Sequence, residues 1–503
     1  MAKLLKTVRL GTRRGDRAVE RLIARGRTVL DPKVMRVAAR QVEAVRRRGD
    51  AALLKAVKRY DGVEVESAAA LRLEVPDPEA VRRELPPGFA EALERAIAAV
   101  GAFHRRQAER ALAGFTWERD GVEIVEDRRP LARVGIYVPG GRASYPSTAV
   151  MTVLPALAAG VEQIAVATPP AAWAASPALR YALGRLGVGE VWGMGGAHAV
   201  AAFAYGTETV PRVDLIAGPG NAWVTAAKKL VAGEVAIDGL AGPSEVVIVA
   251  AGDADPALVA ADLLAQAEHD PRAAAVLVTT DRKLPRRVNR ELAARLSGLA
   301  TAATASASLA GFGLAVVVES AAEALALVER IAPEHLQLVG AEAEALAPRV
   351  RNAGAVFLGA ATPEVFGDYV AGPSHVLPTG GGARFASGLG VDDFVRTSHR
   401  MRFTHEAAAG WAGAAAALAD AEGFPAHAAS ARLRGGPGRR PAATVAADSE
   451  AGGARAPDIN TGSVAPAGGA AGAAGKPSVA PTGARSSDSD HRAEGSGAQG
   501  GRP

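Results

Sequence analysis

Arg133-Val134-Gly135-Ile136-Tyr137-Val138-Pro139-Gly140-Gly141 is a short run rich in β-branched and aromatic residues that stops at a proline and two glycines. Runs of this composition, closed by turn residues, predict a buried strand. The same unit returns at 163–168, 190–192, 213–217, 245–250, 274–279, 315–318 and 355–358, and each copy is followed by a stretch with helical apolar spacing. Strands alternating with helices imply parallel sheets covered on both faces, an α/β architecture. The runs lie on both sides of a glycine-rich middle, which predicts two Rossmann-like parallel-sheet domains.

Outward from this region the pattern changes. Residues 34–60 and 89–111 carry apolar side chains at spacings of three and four, predicting a helical N-terminal layer. A further helix is expected over 411–421. The expected boundaries are a helical segment over residues 1–132 packing with 240–385 as one α/β domain, a second α/β domain over 133–239, and a helical C-terminal arm over 386–432. Beyond Leu433 the chain is Gly, Ala, Ser, Pro and scattered charge without an aromatic residue or another leucine. Such a segment buries too little apolar area to offset its ordering entropy, so 433–503 reads as a disordered tail.

Composition narrows the function classes. The 503 residues are 49% hydrophobic, enough for several packed layers. Net charge is +5, but the 58 basic and 53 acidic residues are intermixed, which argues against a nucleic-acid partner. The run Arg46-Arg47-Arg48 lies in a helically spaced segment and reads as a solvated face. Cysteine is absent, so disulfides, thiolate metal sites and a thiol nucleophile are excluded. Residues 1–30 offer no signal-peptide core, and 414–419 is far shorter than the ~20 apolar residues of a membrane span, so a cytoplasmic protein is expected.

Several segments could carry chemistry. After Asp255-Pro256, a capping residue followed by a proline suited to the first helical turn, Ala260, Leu263, Leu264 and Ala267 form an apolar stripe. Asp262, Gln266 and His269 recur on another face, so Gln266 and His269 can point at one spot; an ordinary solvated face has the same spacing. Glu334 and His335 are neighbours after a helical run, and on a non-helical backbone they face different ways, which suits two separate proton transfers. The stretches 363–369 and 372–379, holding Asp368 and His375, read as a pocket-lining or a surface loop. Glu422 and His427 follow the 411–421 helix. With only nine histidines in the chain, a nitrogen-and-oxygen metal site from Gln266, His269, Asp368 and His427 would suit zinc, although spacing leaves the grouping open. Gly218-Pro219-Gly220-Asn221 joins a strand to a helix and either receives a phosphate on free amides or forms a plain tight turn.

Together, Gly135 to Gly141, Gly218 to Ala222, Ala241-Gly242-Pro243-Ser244-Glu245, Leu263 to Asp270, Ala332 to Leu336, Gly367-Asp368-Tyr369 and His375 to Thr379 resemble the histidinol dehydrogenase family, in the family's order, from about residue 30 to 432. The resemblance implies an NAD-dependent oxidoreductase that carries L-histidinol through L-histidinal to L-histidine with two NAD, the last step of histidine biosynthesis. It implies one zinc per subunit on Gln266, His269, Asp368 and His427, with Glu334 and His335 as the acid/base pair. Substrate contacts map to Ser244, His335, His375 and Glu422 besides the metal ligands, and cofactor contacts on the 133–239 side map to Tyr137, His198 and Asn221. His198 departs from the family, which commonly has Gln there. An intertwined homodimer is also implied, in which the C-terminal arm donates Glu422 and His427 to the partner's site. Other readings are a zinc hydrolase using Glu334, a silent paralogue acting through its tail, and a dehydrogenase of a related amino alcohol.

Overall fold

The computed structural model describes residues 4–27, 31–140 and 145–436. The tail expected over 433–503 therefore lies outside the described residues from 437 onward.

Two six-stranded sheets carry the architecture. Sheet I runs Lys6–Arg9, Leu314–Val317, Ala274–Thr279, Glu245–Ala250, His335–Val339, Ala355–Leu358 across its width, every neighbouring pair parallel. The central strands EVVIVA and AAVLVT are buried at every residue, as a sheet covered by helices on both faces requires. Sheet II runs Arg72–Leu73, Glu190–Gly193, Gln163–Thr168, Arg133–Tyr137, Leu215–Ala217, Ala236–Ile237, parallel except for its antiparallel first strand. Both sheets repeat one winding: five successive strands lie in the order third, second, first, fourth, fifth, with an N-terminal strand added beside the third. The chain reverses direction between the first and fourth strands, the switch point where such sheets open a crevice. The two Rossmann-like domains expected from the sequence are thus present.

Two expected boundaries need correction. The N-terminal segment, residues 1–132, does not pack as a unit with 240–385. Only the strand Lys6–Arg9 and the helix Arg13–Arg27 join sheet I, through Val8, Val19 and Leu22. The helix Pro32–Ala56 instead buries Ala38, Val42, Val45 and Leu53 among Tyr137, Val200 and Phe203 of the sheet II half, and the helix Phe89–Ala111 buries Leu93 and Val100 beside Val150 and Val153. An amphipathic stripe states that a helix is covered, not which sheet covers it. Nor is the arm 386–432 wholly helical. Val395–Phe403 is a strand, paired antiparallel with Val122–Pro130, which pairs in turn with Phe115–Arg119 in a three-stranded sheet. Helices His405–Ala421 and Pro425–Arg432 follow.

Candidate active site

Sheet II opens a crevice of about 840 Å³ at the carboxyl ends of its strands, lined by Tyr60, Asp61, Tyr137, Pro139, His198 and Asn221 among others. Tyr137 ends the strand Arg133–Tyr137, and its hydroxyl accepts from Gly196 N–H at 3.1 Å. Burial pushes that phenol up to about 12, so it stays neutral. Gly218 stands across the switch point at φ +108°, and a Cβ there would meet Tyr137 O at 2.2 Å. Only glycine permits this approach. Asn221 caps the helix Ala222–Val231, its side-chain oxygen accepting from Trp223 N–H (3.0 Å) and Val224 N–H (3.3 Å). That fixes the amide oxygen toward the helix. The arrangement is a helix start at a switch point, suited to an anionic nucleotide.

His198 is buried in the same crevice with its Nε2 2.8 Å from Asp61 Oδ2, which also accepts from Gly195 N–H at 3.1 Å. Tyr60 stacks on the imidazole at 6.1 Å. A carboxylate only accepts, so Nε2 carries a hydrogen, and Nδ1 is buried without a partner. At the carboxyl ends of the sheet I strands, beside Val249 to Ala251 and Thr279, the cavity is far smaller, about 10 Å³.

Sheet I offers its amino ends instead. Glu245 and His335 are the first residues of the two strands at its switch point, and Val246 pairs in register with His335. The helix Ala321–Ile331 ends at Ala332 with φ 51°, a left-handed turn uncommon for alanine, and Pro333 leads into Glu334. Backbone strain of this kind persists where surroundings over-determine it. Gly354 lies so close that a Cβ would meet Glu334 O at 2.6 Å.

His335 is 3% exposed, and its Nδ1 lies 3.2 Å from Glu245 O. A carbonyl only accepts, so Nδ1 holds the hydrogen and Nε2 keeps a lone pair. Nε2 sits 3.9 Å from Asp368 Oδ1. Burial lowers the imidazole's pKa against the opposing pull of Asp368, which keeps it a neutral base. Glu334 is also buried, accepts from Glu245 N–H at 3.0 Å, and is hydrogen-bonded to the Ser244 side chain. Burial, reinforced by Glu245 and Asp368, pushes its carboxyl up to about 8 despite those hydrogen bonds.

Gln266 lies in the last turn of the helix Pro256–Ala267 and His269 in the turn after it, and the helix's expected start is present as the Asp255 cap on Ala257 N–H. Gln266 is fully buried, with Nε2 3.2 Å from His269 Nδ1 and Oε1 without a partner. His269 Nε2 lies 3.9 Å from Asp368 Oδ2. His375 Nδ1 faces Asp368 O at 2.9 Å and its Nε2 faces Thr148 Oγ1 at 3.4 Å, which ties this cluster to the sheet II half. Asp262, on the same helix, turns away to accept from Gln337 Nε2 at 2.8 Å.

Glu364 completes the cluster and was not among the residues singled out from sequence. It is 1% exposed, with Oε1 3.4 Å from His335 Nδ1, and one donor atom each from His269, Glu364 and Asp368 lie within 4.8 Å of one another. Its spacing of four from Asp368 on the helix Glu364–Tyr369 was the available signal. Burial raises its carboxyl well above the usual range. Imidazole nitrogen, carboxylate oxygens and an orphaned buried amide oxygen form a donor set that fits zinc.

Glu422 and His427 are not brought to this cluster within the chain. Glu422 ends the helix His405–Ala421, and exposed His427 packs its ring on Phe424 at 5.4 Å. Around them Trp411, Leu418, Phe424 and Leu433 are 52–83% exposed. Among the described residues no helix is long and apolar enough to cross a membrane.

Comparison with known proteins agrees with this geometry. A family model described as histidinol dehydrogenase matches residues 25–435. Histidinol dehydrogenase of a Synechococcus species is 46% identical over 394 residues, covering 78% of this chain and 90% of that protein. The Moorella thermoacetica protein of the same name is 48% identical over 394 residues, covering 78% and 92%. In three dimensions, a crystal structure of histidinol dehydrogenase from Elizabethkingia anophelis superposes with a TM-score of 0.77 at 30% identity, covering 86% of this chain and 98% of that one.

Proposed function

The chain belongs to the histidinol dehydrogenase family and is an NAD-dependent oxidoreductase, and from that premise we propose that it performs the four-electron oxidation of L-histidinol to L-histidine through L-histidinal, using two NAD and one zinc per subunit. The observation that carries this reading is the tethered imidazole of His335, whose free Nε2 faces Asp368 in a cluster of buried oxygen and nitrogen donors.

Gln266, His269 and Asp368, with His427 from a second copy, would hold the zinc, which would supply a fixed positive charge for orienting the imidazole and amine of the substrate. His335 Nε2 takes the hydroxyl proton as the carbinol carbon gives up its hydride to NAD. Glu334 then removes a proton from the water that adds to the aldehyde, and the hydrate gives up the second hydride to a second NAD. With no cysteine in the chain, a thiohemiacetal route is closed and hydration serves. Ser244, His375 and, from the second copy, Glu422 contact the substrate, while Tyr137, His198 and Asn221 contact the cofactor. The crevice of about 840 Å³ at the carboxyl ends of the sheet II strands receives the two NAD one after the other. A cytoplasmic enzyme of histidine biosynthesis accords with this chemistry.

The test is an absorbance assay for NADH with limiting L-histidinol, with and without a chelator and after zinc is restored. Two NADH per histidinol are expected, abolished by the chelator and recovered with zinc. One NADH per histidinol, or indifference to the chelator, contradicts the reading; hydrolysis of an ester or amide without NADH would support a zinc hydrolase.

Exchange between subunits is tested by mixing. A homodimer places equivalent groups by symmetry, so a heterodimer of His335→Asn and His427→Ala subunits contains one intact site and recovers about half the activity of a parent dimer. Each variant alone stays inactive. Equal inactivity of the mixture, measured on isolated heterodimer, contradicts the donation of His427.

His198 gives a smaller effect. Its Nδ1 is buried without a partner, whereas the amide of Gln offers both a donor and an acceptor to the cofactor. His198→Gln is expected to lower the KM for NAD severalfold, by about the 1–3 kcal/mol at most that a buried unpaired group costs. The KM for histidinol stays unchanged; equal shifts in both constants would contradict a cofactor role.

A further inference from the structure

We infer that Arg25, in the first helix and far in sequence from every residue assigned above, is a positioning residue for the proton-transfer pair, acting through the buried carboxylate of Glu245. The inference rests on the proposed roles of Glu334 and His335.

Glu245 is the point where the site's elements meet. Its backbone N–H donates to Glu334 Oε2 at 3.0 Å, and its carbonyl oxygen faces His335 Nδ1 at 3.2 Å. One residue thus orients both reacting side chains through the two ends of its peptide units. Its carboxylate does a third thing: Oε1 accepts from Gly380 N–H at 3.0 Å, holding the loop that follows His375 and Thr379. Thr379 in turn accepts from Gly242 N–H at 2.6 Å, two residues before Ser244.

Arg25 fixes this residue from behind. Its side chain is 3% exposed, and Nη2 donates to Glu245 Oε2 at 2.5 Å across 220 residues of chain. Nη1 reaches Arg272 O at 2.5 Å and Pro243 O at 3.3 Å. The guanidinium therefore clamps three places at once: the carboxylate of Glu245, the turn leading into Ser244, and the segment after His269. A planar fork of donors suits such a task, and an ammonium does not replace it. Arg25 touches neither Glu334 nor His335, so its effect passes through Glu245. Removing the clamp releases the strand start that aims both groups, and displacements of about 1 Å at reacting groups cost up to 10²-fold in rate.

The test uses the zinc-loaded enzyme and two variants. Arg25→Lys keeps a cation opposite Glu245 but reaches fewer acceptors; kcat is expected to fall about tenfold or more, with zinc content and the KM for NAD unchanged. The pair Arg25→Met with Glu245→Met leaves no unpaired buried charge, so thermal stability returns close to the parent's while kcat stays low. A folded double variant with parental kcat shows that the ion pair is structural only and overturns the inference, as does an unchanged kcat in Arg25→Lys. His335→Asn and Glu334→Gln are measured alongside. If those two are inactive while the Arg25 variants turn over normally, the inference alone fails; if they too are active, the reading beneath it fails.

Discussion

His335→Asn is expected to abolish oxidation of L-histidinol, with kcat reduced by about 10³-fold, within the range that a positioned general base contributes. Asparagine preserves much of the side chain's shape, and its NH2 group can still donate to Glu245 O where Nδ1–H does now. It offers no basic nitrogen where Nε2 stands, 3.9 Å from Asp368 Oδ1. The variant should therefore fold, hold zinc and bind NAD as before, and fail only where the hydroxyl proton must leave. Rapid mixing with L-histidinol, with zinc measured on the same sample, checks this. A normal first NADH burst would remove His335 from the base role; loss of zinc along with activity would point to a structural role.

Glu334→Gln should divide the two oxidations. Glutamine keeps an oxygen for Glu245 N–H but cannot take a proton from water, so conversion of supplied L-histidinal falls by about 10²-fold while the first hydride transfer changes little. The pH dependence separates the roles further. Burial raises the Glu334 carboxyl to about 8, so near neutrality most of it is protonated, and the base form grows as pH rises through that value. Aldehyde oxidation in the parent enzyme should rise with pH across this window, and the rise should vanish in Glu334→Gln. His335, lowered by burial, is already deprotonated there and contributes no second rise. Equal slowing of both oxidations, or an unaltered pH profile, would assign Glu334 elsewhere.

The parallel strands were legible because they are continuous apolar runs ended by glycine or proline, as in the 133–141 stretch. Val395–Phe403 was not: its sequence, Val-Arg-Thr-Ser-His-Arg-Met-Arg-Phe, is mostly exposed, and although Val395, Met401 and Phe403 share one side, Thr397 and His399 between them dilute the apolar alternation. His335–Val339 is a fully buried strand, but its first residue is a histidine and Gln337 lies within it, which interrupts the apolar signal. Among site residues, spacing suggested that Gln266 and His269 share a face, and they do meet. Asp262 had equally good spacing and points at Gln337 instead. A periodicity of three and four defines a sector of a helix, and tertiary packing chooses what each residue in it meets. Glu364 and Glu245 show the reverse limit. A buried carboxylate carries no sequence mark of burial, and the Arg25 to Glu245 contact spans 220 residues.

The most direct measurement is X-ray diffraction at the zinc absorption edge from crystals grown with zinc and L-histidinol. One anomalous peak per subunit is expected within bonding reach of Gln266 Oε1, His269 and Asp368, completed by His427 of a second copy, with the substrate's hydroxyl beside His335 Nε2. A peak away from those side chains, or a hydroxyl turned from His335 while the ion is bound, contradicts the proposed chemistry.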